Sequence, residues 1–498
     1  MPRPPNVLVL MSDQHRAEIA GCYGHPLVRT PHLDALAGRG TLFENAFCAA
    51  PLCGPSRAAA ITGTYPHTCG LVTHPNGRHR LKKQYTPEWN PAVRSLVGEF
   101  RARGYRTHAC GYLGVMGALP DGARTDAEFL GFESAGAVDY AALAGKEIAR
   151  RYNLADIQGE MWEPGYFNVA GKPWPYEEDK LWDSLIAEDA ANYIRNRDPA
   201  KPFYLYAGFR AVHPPWCAPS RFHELYDPAR LDPLPDYKVR HTGKPRRIQE
   251  RFDYFDIRHY PEDMVRRSIA AYYGFVSYLD DCIGRVLRAL EEAGLRDETL
   301  IVYTADHGEN LYRHGLCEKH SFFDGAVRIP LLLSGPGIPA GARREGLASN
   351  IDLLPTLLAA SGGEVPGFVE GVDLRPLAAE GREVRERVFA EYYHTTEPCR
   401  MVRDRRWKYI HTVDDVNELY DLQNDPLETL NLAWYPQYAE RVAAMDRLVL
   451  ADWEVPDLPP WAGWTDLNER KQRQRLAGLP IPDTRPPLPA WAAEYRGG

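Results

Sequence analysis

Two aspartates in this chain stand where their carboxylates could bind a metal ion. Asp13 and Asp306 each come directly after a continuous apolar run that is typical of a strand buried on both faces of a parallel sheet. Ligands of open α/β sheets bind beyond the carboxyl ends of strands, so we expect the two carboxylates to meet there. Gln14 and His307 stand beside them and complete an oxygen-rich shell with one imidazole. The sequence therefore predicts a site for one divalent cation.

A cysteine comes directly before a predicted helix. Cys53 lies two residues before Pro55, which favours the first turn of a helix, so residues 55–62 are expected to begin a helix whose free N–H groups face an anion. Arg57 is one turn from Cys53, and its planar fork suits a tetrahedral oxyanion. The alternatives are a buried, inert thiol at Cys53 and a solvated arginine at Arg57.

These residues require a fold in which strands and helices alternate. The apolar patterns predict a fold of the α/β class, in which a mostly parallel sheet is sandwiched by helices. Strands are predicted at 6–12, 106–110, 202–208, 299–305 and 329–333. Helices are predicted from Thr30-Pro31 to just before Gly40 and at 55–62, 90–104, 181–195 and 261–293.

The composition and the predicted elements divide the chain into three parts. Residues 1–375 are predicted to form the catalytic domain, and residues 376–455 a small α+β C-terminal domain. In the second part, strands are expected at 388–393, 400–402 and 407–412, and a helix at 438–452. Residues 456–498, rich in proline and tryptophan, cannot make a core of their own. We expect this tail to wrap the body or a neighbouring subunit, which would make the protein a homo-oligomer.

Composition excludes several classes of protein. A formal charge of -8 over 498 residues is too dilute to indicate a nucleic-acid partner. The nine cysteines lack paired short spacings, which argues against a disulfide framework or a zinc knuckle. No segment has signal-peptide order, and no apolar stretch approaches the roughly 18 residues of a membrane span. We therefore expect a cytoplasmic protein without a membrane partner.

The run from Leu52 to Gly63 resembles the signature C-x-P-S-R-x-x-x-x-T-G of the sulfatase family. The resemblance implies an alkaline-phosphatase-like fold and oxidation of Cys53 to formylglycine, an aldehyde that works as its hydrate. It also implies a formylglycine-generating enzyme as a partner during maturation, and Cys53 as one of the metal ligands. Calcium is the usual sulfatase ion, whereas a histidine in the shell shifts the preference toward manganese.

Two further blocks carry the same resemblance. Lys319 opens a stretch to Pro330 that is similar to the family's K-x-x-x-(F/Y)-(E/D)-x-x-x-R-x-P block, whose lysine contacts the anion oxygens. His213 lies in Val-His-Pro-Pro, similar to an H-x-P element whose histidine binds an anion oxygen or protonates the leaving group. Taken singly, either residue is more often structural. Residues 418–433 are typical of sulfatase C-terminal domains.

One departure from the family pattern bears on the substrate. Typical sulfatases carry G-K-x-H after the strand predicted at 106–110, and this chain has Gly-Tyr-Leu-Gly at 111–114. Phosphonate monoester hydrolases of the superfamily have a tyrosine at the lysine position, like Tyr112. They also have a glutamine like Gln14, and an asparagine that Asn76 could match in substrate binding. Loss of the lysine makes the pocket less positive, which fits a singly charged phosphonate or diester.

Other observations leave the choice open. Gly114 has no hydroxyl where those hydrolases have threonine, and residues 321–324 look like the choline-sulfatase version of the lysine block. Tyr112 is equally well explained by ordinary aromatic packing. His213 and His67 are candidates for the base that deprotonates the formylglycine hemiacetal. Loops 115–180 and 215–260 are expected to shape the leaving-group pocket, with possible walls at Trp162, Trp174, Tyr176 and Trp216.

We therefore hypothesise a formylglycine-dependent, metal-assisted hydrolase of small anionic esters. The residues favour phosphonate monoesters and phosphodiesters, with sulfate esters as promiscuous substrates. One alternative is a dedicated sulfatase that acts on aryl or choline sulfate esters. Another is a family member that has lost catalysis and binds a metal or an anion, and its support is the missing lysine and histidine.

Overall fold

A computed structural model describes residues 3–73, 89–115, 126–136, 172–231, 243–255, 257–393, 397–455 and 489–493. Two sheets organise this part of the chain. The strands of the larger sheet are β1 Asn6–Ser12, β2 Gly40–Phe47, β3 Arg106–Gly111, β4 Ser134–Ala135, β5 Phe203–Gly208, β6 Thr299–Ala305, β7 Arg328–Ile329, β8 Leu331–Ser334 and β9 Ala342–Ser349. Those of the smaller sheet are β10 Val388–Tyr392, β11 Cys399–Arg403, β12 Trp407–Thr412 and β13 Glu418–Asp421.

The larger sheet is parallel at its centre. Its strand order is β4-β3-β5-β1-β6-β8-β2-β7, with β9 also paired to β2. Strands β4, β3, β5, β1 and β6 run parallel to their neighbours, whereas β8 pairs antiparallel with both β6 and β2. The carboxyl ends of β3, β5, β1 and β6 therefore lie side by side at one edge.

Helices cover both faces of this sheet. The helices are α1 Pro31–Gly38, α2 Cys53–Thr62, α3 Pro66–Cys69, α4 Leu96–Ala102, α5 Asp126–Leu130, α6 Trp182–Asn196, α7 Ser220–His223, α8 Arg246–Phe255, α9 Glu262–Glu292, α10 Asp324–Val327, α11 Leu353–Ala360, α12 Arg375–Glu380, α13 Ala439–Leu450 and α14 Ala490–Ala493. Leu8 and Leu10 of β1 pack in one core with helices α1, α6 and α9, while Val7 and Val9 pack in a second core with α2, α4 and α11. The predicted α/β sandwich is confirmed. None of the described helices combines the length and the apolar character that crossing a bilayer requires.

The smaller sheet is antiparallel, in the order β10-β11-β12-β13, and α13 packs on β11 and β12. This is the α+β unit predicted near the C-terminus; its boundaries at 376 and 455 stay a prediction. Of the tail, the structure describes only residues 489–493, where the Tyr438 hydroxyl donates to the Ala492 carbonyl at 2.9 Å. This short segment packs against the C-terminal unit of its own chain.

Several predicted elements differ from those observed. The helix predicted over 90–104 is confined to Leu96–Ala102, because the Ser95 side chain caps it by accepting from the Gly98 amide at 3.2 Å. The strand predicted at 329–333 is two strands, β7 and β8, separated by Pro330, which has no N–H to donate. Strands β2, β4, β9 and β13 were not predicted.

An ion-pair network joins the small sheet to helix α10. The Lys408 ammonium, on β12, donates to the Phe322 carbonyl at 2.8 Å and to carboxylate oxygens of Asp324 and Glu428, both at 2.5 Å. Arg403 on β11 also binds Asp324 with two contacts at 2.6 and 2.7 Å. The small sheet therefore fixes the segment that follows Lys319.

We expect Lys408→Met to destabilise the protein by about 3 kcal/mol, because the buried Glu428 carboxylate loses the ammonium that pairs with it. Lys180→Met is the matched control: Lys180 pairs with the exposed Asp179, and such surface pairs contribute under about 1 kcal/mol. Denaturant unfolding followed by tryptophan fluorescence measures both. Equal stability of the two variants would contradict the role assigned to the network.

Candidate functional site

The topology of the sheet brings the two aspartates together. Strands β1 and β6 are parallel neighbours in a register that pairs Ser12 with Ala305, so Asp13 and Asp306 leave adjacent strands at the same level. The Gln14 backbone turns through a left-handed conformation, with φ of 66°, and its N–H donates to Asp306 Oδ1 at 3.0 Å. Both carboxylates are fully buried. The predicted convergence at the carboxyl edge is observed.

Cys53 is the first residue of α2, and its sulfur lies among the groups predicted to meet there. Its Sγ is 3.1 Å from His307 Nε2, 3.2 Å from Lys319 Nζ and 3.7 Å from Asp13 Oδ1. The extended Leu52 precedes the helix, and a left-handed Gly63 ends it. The side chain is buried, yet charged and polar groups surround it, which is unlike the inert apolar setting of a structural cysteine.

Four side chains in this cluster have the chemistry of a cation site. One ligand atom from each of Asp13, Cys53, Asp306 and His307 lies within 4.8 Å of all the others. His307 Nδ1 is 2.9 Å from the Gly308 carbonyl, and donation there leaves the lone pair of Nε2 to face the cluster. Two carboxylates and one imidazole fit a divalent ion of the manganese or calcium class. The thiol Sγ of Cys53 stands where a formylglycine oxygen would lie after oxidation.

The side chain of Gln14, also predicted as a metal ligand, binds one hydrogen-bond acceptor and one hydrogen-bond donor. Its side-chain amide donates to Glu309, and its Oε1 accepts from Lys319 Nζ at 2.8 Å. Because a lysine ammonium can only donate, Gln14 Oε1 must face Lys319, and the amide nitrogen then faces Glu309. Its carbonyl oxygen therefore points toward the group that also contacts Cys53.

Arg57 connects the helix to both aspartates. Its Nε donates to Asp306 at 2.8 Å, and one terminal nitrogen lies 3.4 Å from Asp13. The other terminal nitrogen donates to the Tyr112 carbonyl at 2.9 Å and the Tyr206 hydroxyl at 3.0 Å. The fork is thus engaged mainly with protein atoms, and it organises the carboxylates. Direct binding of the substrate anion by Arg57 stays a prediction.

Cationic neighbours set the charge state of the cluster. Burial opposes ionisation of Asp13, yet the charges of His213, which is protonated in the acid range where Asp13 titrates, and of Arg57, Lys319 and Arg210 outweigh it and hold the pKa of Asp13 below its ordinary value. Burial likewise opposes the charged form of Lys319, but the cysteine and the carboxylate of Asp13 raise the pKa of Lys319. Both groups are therefore ionised at neutral pH and stabilise each other.

The loop that carries Lys319 has an unusual backbone. Glu318 and His320, on either side of the lysine, adopt φ values of 61° and 73°, a region that non-glycine residues seldom occupy. The Glu309 carboxylate accepts the amides of Leu311 at 2.9 Å and Glu318 at 2.5 Å. His320 Nδ1 lies 2.8 Å from the Tyr392 hydroxyl. Contacts from several directions thus hold this conformation and direct Lys319 to Cys53.

The Tyr112 ring contacts two arginines. The guanidinium carbons of Arg57 and Arg210 are 4.6 and 5.1 Å from its ring centroid. At Gly114, with φ of 66°, an added Cβ would come within 2.8 Å of the Tyr112 ring and 2.9 Å of Arg57 Cδ. A threonine, expected there from the phosphonate hydrolases, would not fit this arrangement, which accounts for the departure at Gly114.

His213 follows a segment fixed by Asp183. The Asp183 carboxylate accepts the amides of Arg210 at 2.7 Å and Ala211 at 3.0 Å. His213 Nδ1 is 2.7 Å from the Pro214 carbonyl. Burial, together with the charges of Arg210 and Lys319, lowers the pKa of His213 well below its ordinary value. The ring is neutral at pH 7, and its proton is on Nδ1.

Other predicted residues lie elsewhere. Trp216 was predicted as a pocket wall, which is wrong: it is fully buried and packs edge-on against Tyr272, with ring centroids 5.2 Å apart. Trp174 is buried in the core beside Tyr176. His67 binds Glu391 of the small sheet through Nδ1 at 2.7 Å. Asn76 and Trp162 lie outside the described residues.

The sequence analysis missed two residues of the site. Arg210 NH1 lies 3.3 Å from Asp13 Oδ2, and Glu309 orients Gln14 as described above. Arg210 comes two residues after β5, the strand that pairs with β1. The strand-end argument that selected Asp13 and Asp306 applies equally to β5 and would have found it.

Comparison with known proteins agrees with this geometry. A family model described as Sulfatase matches residues 5–363, and one described as N-sulphoglucosamine sulphohydrolase, C-terminal, matches residues 312–452. The chain is 31% identical to a choline-sulfatase of Rhizobium meliloti, with 87% of this chain and 83% of that protein covered. It is 30% identical to the multifunctional alkaline phosphatase superfamily protein PehA of Trinickia caryophylli, with 88% and 93% covered.

A solved structure gives the same fold. The phosphonate monoester hydrolase of Agrobacterium radiobacter matches with a TM-score of 0.74 at 23% identity, covering 93% of this chain and all of that one. Because the Sulfatase model spans well over half of the sequence, the chain belongs to the sulfatase family of the alkaline phosphatase superfamily, and it is a sulfatase-family hydrolase.

Proposed function

We propose that this protein is a formylglycine-dependent hydrolase of anionic esters that works with one divalent cation. The observation that carries the proposal is the position of Cys53 Sγ, within 3.7 Å of Asp13, His307 and Lys319 at the start of α2. A buried thiol has no structural need for two cationic or basic groups and a carboxylate. A nucleophile that must lose a proton and then bind an anion needs all three.

Asp13, Asp306 and His307 would hold the cation, with the oxidised side chain of Cys53 and Gln14 completing its shell. A divalent cation bound there supplies positive charge that lowers the pKa of a coordinated hydroxyl and polarises an ester oxygen. Arg57 keeps both carboxylates in place by its contacts to them. These residues therefore preorganise the site before substrate arrives.

The hydrate of formylglycine offers two hydroxyls on one carbon: one can attack sulfur or phosphorus, and the other can lose a proton and expel the anion by C–O cleavage, which regenerates the aldehyde. Lys319 Nζ, 3.2 Å from the position of this side chain, would stabilise the negative charge that develops there. Oxidation of Cys53 requires a formylglycine-generating enzyme as the maturation partner. Asn76 and Tyr112 are proposed to contact the substrate.

His213 suits proton transfer in the second half of the reaction. With its proton donated from Nδ1 to the Pro214 carbonyl, a neutral ring presents the lone pair of Nε2. Such a nitrogen can accept the hemiacetal proton and pass it to the anion that departs by C–O cleavage. His67 is a weaker candidate for this base, because Glu391 holds its Nδ1 at 2.7 Å on the side of the small sheet.

We infer a preference for phosphonate monoesters and phosphodiesters, with sulfate esters as promiscuous substrates. Tyr112 and Gln14 support it, as does the likeness to PehA, which is described as multifunctional, and to a phosphonate monoester hydrolase. The second candidate is a dedicated sulfatase. The 31% identity to a choline-sulfatase favours it. Arg210 favours it as well, because it supplies a positive charge beside Tyr112, where the sequence indicated the loss of the lysine's charge.

Mass spectrometry of the peptide that spans Cys53 tests the modification. We expect a mass about 18 Da below that of the unmodified peptide, because oxidation replaces the thiol by an aldehyde oxygen. Cys53→Ala should lose at least about 10³-fold in kcat, since the nucleophile is gone. Cys22→Ala, at a half-buried cysteine away from the site, is the control and should retain full activity. An active enzyme with unmodified Cys53 would contradict the proposal.

Elemental analysis tests the cation. We expect a stoichiometric divalent ion in the wild-type protein and at least about tenfold less in Asp306→Asn, because an amide lacks the charge that binds the ion. Asp263→Asn, on an exposed turn of α9, is the matched control. Chelation of the wild-type protein should abolish turnover, and manganese or calcium should restore it. Full activity after complete removal of metal would overturn this assignment.

Relative turnover of three p-nitrophenyl substrates tests the substrate class. We expect kcat/KM for p-nitrophenyl phenylphosphonate and bis-p-nitrophenyl phosphate to exceed that for p-nitrophenyl sulfate by at least about tenfold, a difference of about 1.4 kcal/mol in transition-state binding. The reason is the tyrosine in place of the lysine that holds sulfate. A large preference for the sulfate would instead identify a dedicated sulfatase.

A further inference from the structure

We propose that Arg210 is an anion-binding residue of this site. Its guanidinium binds two unsubstituted oxygens of the bound ester, in place of the missing lysine. The inference rests on the proposed function and deepens it by assigning the group that recognises the anion. It also changes the expected character of the pocket, which the sequence indicated to be less positive.

The sheet places Arg210 beside the residue that replaced the lysine. Strands β3 and β5 are parallel neighbours that pair Gly111 with Gly208, and the Tyr112 amide donates to the Gly208 carbonyl at 2.7 Å. Tyr112 and Arg210 therefore leave adjacent strands at the same edge. The Arg210 guanidinium lies over the Tyr112 ring, with its carbon 5.1 Å from the ring centroid.

Tyr112 cannot supply the missing charge itself. Burial raises the pKa of its hydroxyl above the ordinary value, so the side chain stays neutral at physiological pH. It provides instead a flat face on which the guanidinium packs, a contact that favours arginine over lysine. The positive charge that typical sulfatases carry after the strand equivalent to β3 is thus replaced in this chain by the charge of Arg210, after the neighbouring strand β5.

Arg210 differs from Arg57 in its access to a ligand. The Arg57 side chain is 1% exposed and makes four hydrogen bonds to protein atoms, whereas the Arg210 side chain is 32% exposed. Within the described part of the chain, the side-chain contacts of Arg210 are one nitrogen at 3.3 Å from Asp13 Oδ2 and the Tyr112 ring. Most of its five N–H donors therefore remain for a ligand.

The backbone of Arg210 is also fixed, which gives the side chain a defined origin. Its amide donates at 2.7 Å to the buried Asp183 carboxylate. One end of the guanidinium reaches the metal-binding carboxylate, and the rest extends toward the accessible side. A tetrahedral ester bound at Cys53 would present two non-bridging oxygens to this planar fork, the bidentate geometry that arginine favours.

The assignment predicts recognition of charge. Sulfate monoesters, phosphonate monoesters and phosphodiesters all carry one negative charge and at least two unsubstituted oxygens. A sulfonate ester has the same tetrahedral shape and no charge. Arg210 should therefore favour the anionic ester over its neutral isostere, and the effect should disappear when the guanidinium is removed.

The test compares Arg210→Gln and Arg210→Lys with the wild-type enzyme, using inorganic sulfate and phosphate as binding probes. We expect Arg210→Gln to lower kcat/KM for p-nitrophenyl phenylphosphonate by about 10- to 100-fold, the loss typical of a charge-assisted hydrogen bond. The inhibition constants of sulfate and phosphate should rise by a similar factor. Turnover of neutral p-nitrophenyl benzenesulfonate should fall by less than about threefold, and Arg210→Lys should recover part of the loss. Arg39→Gln, at an exposed arginine paired with Asp297, is the matched control.

Metal content separates this role from a structural one. If Arg210 merely held Asp13 in place, Arg210→Gln would lose bound metal and would weaken all substrates equally, which would overturn the proposal. Unchanged inhibition constants would also overturn it. If the wild-type enzyme with oxidised Cys53 hydrolyses none of these esters, the proposed function fails. Arg210 is then tested separately by calorimetric binding of sulfate to metal-loaded wild-type and variant proteins.

Discussion

The pairing of two buried carboxylates with one arginine is the contact on which the site depends. Asp13 and Asp306 leave adjacent strands, and their buried negative charges would repel each other. The Arg57 guanidinium contacts both carboxylates and offsets this repulsion. Because buried charges are costly unless they are paired, this contact fixes α2 against the sheet edge. Arg57 is one helical turn from Cys53, so the same contact also sets the nucleophile beside the carboxylates. The position of the reactive side chain thus follows from charge balance.

Among the residues that the structure describes, the C-terminal unit supplies no group to the cation cluster, yet it contributes to the site. Lys408 and Arg403 hold Asp324, and Tyr392 meets His320, so the loop that carries Lys319 is fixed from the small sheet. The left-handed residues beside Lys319 are costly, and these contacts, together with Glu309, determine the conformation.

The sequence was sufficient where the signal was local. The strand-end aspartates and the cysteine before a proline-started helix could be predicted because each is defined by a few neighbouring residues. Strand β2 was not predicted because Glu44 and Asn45 interrupt its apolar pattern, and β9 begins with charged residues at a half-exposed edge. Trp216 was misplaced because a tryptophan in a loop does not indicate which surface it packs against.

The departure from G-K-x-H shows why the charge of a pocket cannot be read from one motif. Tyr112 occupies the lysine position, Gly114 leaves room for its ring beside Arg57, and Arg210 packs on the same ring from the neighbouring strand. A Cβ at Gly114 would push the ring, and a moved ring would displace both arginines. The three positions therefore form one packed unit, and a substitution at any of them changes the setting of the others. A positive charge thus lies beside Asp13 at the sheet edge. Because the parallel strands end together there, a residue that follows either β3 or β5 can provide that charge.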